Sequence, residues 1–295
     1  MKTTIFKTFC RFITVILILA LMTACSFWKD TNEPKTTIYI ALGDSIPAGY
    51  GLENPDKDGY VGLFAEQLKE DCIEVTAINM AVSGLTTTQL LESLENLESD
   101  DKHNFAHADY ITVSIGGNNI LGPMIDKVYE IAADLGIDDI AEADILQTAR
   151  LVVALVKYKT DDELNARFDE GIAVFVEDFN KIMAVLNDIA PNAEIIVSTV
   201  YNPIPDNIGI SEDAVERITG LNSFIIELQN IYGYTIADTY TAFQKAEQAG
   251  TQVTNFNFDA AKGTVSIDIH PNVAGHSVIA EAHLPQSDFN IQILK

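Results

Sequence analysis

Five short apolar runs recur along the chain, and each is followed by a segment of helical periodicity or by a polar turn. They are TTIYIAL (36–42), VTAINMA (75–81), YITVSIG (110–116), EIIVSTV (194–200) and YTIADTY (234–240). Each is rich in β-branched residues and nearly continuous in hydrophobicity, the pattern of strands buried on both faces. Between them lie the predicted helices 60–72, 86–97, 162–189 and 212–233. In the third of these, Val174, Phe175, Phe179, Ile182, Met183 and Leu186 keep the 3.6-residue period, with Asp178 as a polar exception. Repeated strand–helix alternation predicts an α/β fold in which one parallel sheet is covered on both faces. A single domain from residue 36 to 295 accounts for it.

Residues 121–160 exceed this minimal unit. They follow the third strand and contain a second amphipathic run, ILQTARLVVALVKY (145–158), too apolar for a loop. Two readings stand: a helical pair that extends the core, or a helical cover for a site that takes an apolar chain.

The N-terminus is different in kind. Lys2, Lys7 and Arg11 precede the 11-residue apolar run FITVILILALM (12–22), which ends in small residues, the pattern of a signal peptide over 1–24. The run falls short of the ~20 residues of a transmembrane helix, so a permanent span is the weaker alternative. LMTAC (21–25) resembles a bacterial lipobox, with Met22 where that pattern prefers Leu. The resemblance implies lipidation of Cys25 as the first mature residue, and the alternative is a cleaved secretory signal with an incidental thiol. Residues 26–35 then form a polar spacer. The expected location is the extracytoplasmic face of the cell membrane, by a lipid anchor.

Removing residues 1–24 takes away three of the 18 basic residues and none of the 43 acidic ones, so the formal charge falls from −25 to −28. Such a charge repels phosphate backbones, and no basic cluster interrupts it, which excludes nucleic-acid binding. Of the cysteines, Cys10 is cleaved and Cys25 lipidated in this reading. Cys72 is left alone as a buried small hydrophobe, with no disulfide partner and no zinc spacing.

In an open parallel sheet, ligands bind outside the carboxyl ends of the strands. The polar residues there are GDS (43–45), NMAVSG (79–84) and GGNN (116–119). Ser45 is the candidate nucleophile, and a serine hydroxyl needs a base beside it. Among five histidines, His103 and His107 precede the third strand, on the wrong side of the sheet. His276 and His283 fall on the final helix, where a structural role is expected, with Pro271 and Asn272 at its start. His270, in SIDIHPNVAGH, lies on a connection that can return to the strand ends.

GDSIPAGYG, NMAVSGLTTTQLLESL, SIGGNN and DIHPNVAGH match, in order, the four sequence blocks of the GDSL or SGNH hydrolase family, over residues 43–276. The resemblance implies a flavodoxin-like, three-layer α/β/α fold with a five-stranded parallel sheet and ester hydrolysis through a serine acyl-enzyme, without metal or cofactor. It makes Ser45 the nucleophile and His270 the general base. It builds the oxyanion hole from the backbone N–H groups of Ser45 and Gly84 and the side-chain amide of Asn118, neutral donors suited to a developing oxyanion.

Two positions depart from the family pattern. Asn119 replaces a frequent Asp, and an amide can keep the supporting hydrogen bond. The last block reads Asp268-Ile269-His270 rather than Asp-x-x-His, with Ile267 in the usual acid position. Asp268 is expected to orient His270 nonetheless, the alternative being a backbone carbonyl in that role. Asp44 is expected to brace the nucleophile loop.

The expected activity is that of a membrane-anchored lipase, lysophospholipase or carboxylesterase on a small ester or lipid, with no obligatory protein partner. A cell-wall carbohydrate O-acetyl esterase is the alternative on the same chemistry. A non-catalytic surface binding lipoprotein is the alternative of another class, supported only by the shortened Asp-x-His spacing. The first turn lacks both the G-x-G-x-x-G and the P-loop patterns, which ranks nucleotide binding last.

Overall fold

The computed structural model describes residues 36–71, 74–138, 145–157, 161–203, 211–259, 264–266 and 268–284. The signal segment, Cys25, the spacer and Cys72 lie outside the described residues. Among the described residues no helix is long and apolar enough to cross a membrane.

Strands β1 (Thr36–Gly43), β2 (Glu74–Asn79), β3 (Tyr110–Ser114), β4 (Glu194–Ser198) and β5 (Thr235–Ala237) form one sheet in the order β2-β1-β3-β4-β5. Every pair is parallel. The order reverses between β1 and β3, which is where an open doubly wound sheet binds its ligand. Alternation of side chains across each strand divides the core in two. Ile40, Leu42, Ile111, Val113, Ile195 and Val197 face one side, and Tyr39, Ala41, Ile196 and Ala237 the other.

The first side is covered by helices α3 (Thr87–Glu95), α7 (Asp162–Ile189) and α8 (Ser211–Tyr232), through Leu90, Leu94, Phe175, Phe179 and Ile225. The second is covered by α2 (Tyr60–Asp71), α9 (Thr239–Gln248) and α10 (Val273–Ala282), through Tyr60, Phe64, Phe243 and Ile279. This is the expected three-layer α/β/α architecture. Asp178, the polar break in the apolar stripe of α7, is buried and accepts a 2.5 Å hydrogen bond from the Thr88 hydroxyl, which ties α7 to α3.

Several details differ from the expectation. The apolar run 75–81 is not buried on both faces: β2 is an edge strand, and Glu74, Thr76, Ala77 and Asn79 are exposed. The fifth strand stops at Ala237 because the Asp238 carboxylate accepts from Thr241 N–H and caps α9. Pro271 lies outside α10, since Asn272 is its cap, accepting from Gly275 N–H. The short helices α1 (Pro55–Asp58) and α4 (Ser99–Ala106), and the antiparallel pair β6 (Asn257–Asp259) and β7 (Thr264–Ser266), were not expected.

The segment after β3 is helical. Helix α5 (Gly117–Asp134) begins within GGNN itself, so residue 121 falls inside it, and α6 (Ile145–Lys157) follows. Ile131, Ala132, Ile137 and Leu151 form a small apolar cluster of their own, separate from the two main ones. Tyr129, Leu146 and Val153 remain exposed on this pair.

Candidate active site

Ser45 stands where β1 ends. Gly43 just before it has φ +142, and a Cβ there would sit 1.9 Å from the Ser114 carbonyl oxygen, so only glycine lets β1 lie this close to β3 at the turn. The Asp44 N–H donates to that same Ser114 carbonyl at 3.2 Å, and the Asp44 carboxylate accepts from Ile46 N–H at 3.1 Å. Two further backbone bonds, Ala48 N–H to Asp44 C=O and Tyr50 N–H to Ser45 C=O, wind the loop tightly behind the serine. Asp44 is buried, as a brace should be, and burial pushes its carboxyl up to about 6 against the hydrogen bond from Ile46 and the charge of His270.

His270 reaches this point from the other end of the domain. Its Nε2 lies 3.0 Å from Ser45 Oγ, and its Nδ1 lies 2.6 Å from Asp268 Oδ1. Asp268 accepts at Nδ1, so the proton is assigned there and Nε2 is free to accept from the serine hydroxyl. The shortened spacing works because Asp268 Oδ1 also accepts from the His270 backbone N–H at 3.0 Å. That i to i+2 bond is an Asx turn, which curls the chain so that carboxylate and imidazole of the same turn meet. Partial burial pushes Asp268 up, but hydrogen bonds from the His270 ring, the His270 N–H and Asn255 outweigh it and hold the carboxyl below its usual range. The feature that favoured a non-catalytic binding protein is thereby accommodated.

The loop carrying His270 is fixed on both sides. Asn255 N–H donates to the His270 carbonyl at 2.9 Å, Asn272 N–H to that of Val253 at 3.1 Å, and the Tyr201 hydroxyl to that of Ile269 at 3.0 Å. The second oxygen of Asp268 accepts from the Asn255 side chain at 3.0 Å.

The three expected oxyanion donors come from three neighbouring connections. Val82 N–H donates to the Gly43 carbonyl at 3.0 Å, which draws the segment after β2 alongside the nucleophile turn. Gly84 follows with φ +83 and open space where a Cβ would be. The Asn118 amide donates one N–H to the Leu85 carbonyl at 2.9 Å, leaving its second. Among the described residues neither Ser45 N–H nor Gly84 N–H donates to a protein acceptor. Asn119, the departure from the family pattern, is buried and doubly bonded to Thr87: its oxygen accepts from Thr87 N–H and its amide donates to Thr87 Oγ1. It anchors the start of α3 and with it the loop that carries Gly84.

His103, His107 and His276 are where sequence placed them, and His283 stands one residue beyond α10, as its C-cap. His103 and His107 are exposed on and just after α4, before β3. His276 Nδ1 accepts from Tyr60 N–H, and His283 bonds Ser198 Oγ and the Ile279 carbonyl. Burial pushes both imidazoles down to about 4 and keeps them neutral. Three residues around the site were not expected. Asn255 and Tyr201 carry no local signal, since their partners lie 13 and 68 residues away. Tyr50, in the GYG turn, lays its ring against His270.

A serine, a histidine and a carboxylate in hydrogen-bonded series at the strand ends of an α/β/α sheet define a class, the serine ester hydrolases of three-layer fold. The profile of the GDSL-like Lipase/Acylhydrolase family matches residues 41–278. The chain belongs to that family and is an ester-bond hydrolase. It is 26% identical over 250 residues to the spore germination lipase LipC of Bacillus licheniformis, covering 83% of this chain and 94% of that one. It is 23% identical over 277 residues to YpmR of Bacillus subtilis, covering 90% of each. Among solved structures, the lipase Lip_vut3 from a goat rumen metagenome shares the fold with a TM-score of 0.55 at 24% identity, over 84% of this chain and 95% of that one.

Proposed function

We propose that the protein hydrolyses lipid or simple carboxylic esters through an acyl-enzyme on Ser45, while tethered by a lipidated Cys25 to the extracytoplasmic face of the membrane. The observation that carries the mechanism is the continuous chain Asp268–His270–Ser45, with bonds of 2.6 and 3.0 Å. Ser45 Oγ attacks the ester carbonyl carbon as its proton passes to His270 Nε2. Asp268 stays ionised and stabilises the imidazolium. The tetrahedral oxyanion is held by the N–H groups of Ser45 and Gly84 and the free N–H of Asn118. His270 then gives its proton to the departing alcohol oxygen as the C–O bond breaks. Water attacks the acyl-serine, its proton passes to His270, and the acid leaves as Ser45 regains a proton.

Two observations support a lipid-like substrate. Helix α6 exposes Leu146 and Val153, and the relative LipC is a lipase. The basic, apolar and small-residue order of segment 1–25 supports the anchor.

The test is hydrolysis of p-nitrophenyl esters from acetate to palmitate by the mature chain, beside Ser45→Ala. The expected result is turnover that Ser45→Ala lowers by a factor of about 10³ or more, with an optimum beyond acetate. An optimum at acetate moves the reading to an O-acetyl esterase, and activity that survives Ser45→Ala overturns the mechanism. Cys25→Ser should shift the protein from the membrane fraction to the soluble one; an unchanged distribution refutes the lipid anchor.

A further inference from the structure

The His270 ring is held at two points, Nε2 to Ser45 Oγ at 3.0 Å and Nδ1 to Asp268 Oδ1 at 2.6 Å, and a turn about its Cβ–Cγ bond would break both at once. The side chain also sits at the surface of the site, 23% exposed, with Asp268 at 35%.

The segment 46–51 lies over this pair. Gly49, at φ +69, comes so close to Pro55 that a Cβ would stand 2.6 Å from the proline Cβ, and the turn is held by Gly49 N–H to Ile46 C=O and Tyr50 N–H to Ser45 C=O. Gly51, at φ +82, passes over the acid: a Cβ there would sit 3.7 Å from Asn255 Nδ2 and 3.9 Å from Asp268 Oδ2. Between these two glycines, Tyr50 places its ring 4.4 Å from the His270 ring, centroid to centroid, at 42°. A tyrosine 53% exposed to solvent would ordinarily be free to turn away. This one starts from a backbone pinned to the nucleophile itself.

We propose that Tyr50 is a positioning residue for the general base: its ring packs against the His270 imidazole, blocks the turn about Cβ–Cγ that would carry the ring out of place, and keeps Nε2 aimed at Ser45 Oγ. The nucleophile loop then carries both the serine and the wall that aligns its base, so the two cannot drift independently. The ring, not the phenolic oxygen, does this. The two rings meet at a tilt of 42° with their centroids 4.4 Å apart, so the contact is made by the ring itself.

The proposal rests on His270 being the base, and the experiment separates the two. Hydrolysis of p-nitrophenyl acetate and the rate of labelling by a fluorophosphonate probe are measured for wild type, His270→Ala, Tyr50→Ala, Tyr50→Leu and Tyr50→Phe, with the melting temperature of each. Tyr50→Ala and Tyr50→Leu are expected to lose about tenfold in kcat and in labelling rate, since small misplacements of a reacting group are costly. KM should stay within about threefold, and Tyr50→Phe should recover wild-type kcat within about twofold, because the ring is preserved. Tyr50→Leu keeps a bulky apolar side chain, so its loss is not attributable to an emptied site.

A loss confined to KM would make Tyr50 a substrate contact and overturn the proposal. So would a Phe variant as slow as Ala, or full activity in Ala and Leu. If His270→Ala itself remains active, the assignment of the base fails, and the role of Tyr50 fails with it. If His270→Ala is inactive and Tyr50→Ala is not, only the positioning role is lost.

Discussion

Asp44 offers a test in which burial and stability are tied to one proton. Its carboxyl stands at the end of β1, directly before the nucleophile, and is almost wholly buried. The cause of its displacement from 3.8 to about 6 is removal from water, opposed by the Ile46 N–H and by the charge of His270. Burial makes the hydroxyls of Tyr60 and Tyr201 harder to ionise, and the Asp44 charge adds to it. A group whose folded value is raised binds its proton more tightly in the native state. Its contribution to stability is therefore fully present below about 3.8 and lost as pH rises through about 6. At 1.36 kcal/mol per pH unit, a displacement of this size corresponds to about 3 kcal/mol. Asp44→Asn keeps an oxygen for Ile46 N–H and has no charge to bury. Urea unfolding of both proteins at pH 4 and pH 7.5 isolates the effect, because every other carboxylate contributes equally to each. The Asp44→Asn variant should gain on wild type by about 2–3 kcal/mol between the two pH values, slightly less than the full displacement because the unfolded carboxyl is already partly ionised at the lower pH. An unchanged difference, within about 0.5 kcal/mol, would refute the dominance of burial, and a difference of opposite sign would mean that the ionised carboxylate is stabilised by its surroundings.

Two further outcomes follow from geometry. Asp268→Asn should lower kcat by about 10²–10⁴-fold while KM is little affected, since the acid acts by fixing the imidazole tautomer and stabilising its charged form; steady-state kinetics at neutral pH checks this. Gly116→Ala meets two penalties at once, a φ of +112 and a Cβ 2.5 Å from Phe175 Cε2, and should cost about 2–4 kcal/mol in urea unfolding, with near-wild-type stability the result that contradicts it.

The sheet was legible because strands buried on both faces must be apolar at nearly every position, and β1, β3 and β4 are. The same rule misread β2, whose residues resemble those of a central strand. Edge position is set by strand order, and no residue within 74–79 reports it. Helix α4 went unrecognised because one buried residue, Phe105, anchors seven mostly polar ones, so there is no apolar period to see. Ser45, Gly84 and Asn118 stand in the polar segments after strands and His270 on a connection that returns to them, and the four family blocks supplied the roles of Gly84 and Asn118. Asn255, Tyr201 and Tyr50 were not legible, because each acts on the site through a contact with a residue far along the chain.

Asp268 shows how a departure from a family pattern is absorbed. A separation of three residues lets a helical or bent turn bring acid and base together. A separation of two in an extended segment puts both side chains on one face, but they stand parallel, with their Cα atoms about 6.6 Å apart, and do not converge. The escape is that an aspartate can bond the backbone two residues ahead, and it does so to His270 itself. The bond that makes the turn and the bond that orients the imidazole converge on one oxygen, Oδ1, while Oδ2 is held by Asn255. Glutamate at this position, with the same charge and one more methylene, closes no such turn. The shortened spacing therefore demands aspartate for reasons of backbone geometry as well as of charge, and Asp268→Glu is expected to fail nearly as badly as Asp268→Asn although it keeps the carboxylate. The same kinetic assay decides it: a Glu variant with near-wild-type kcat would show that charge alone is required and that the turn is incidental.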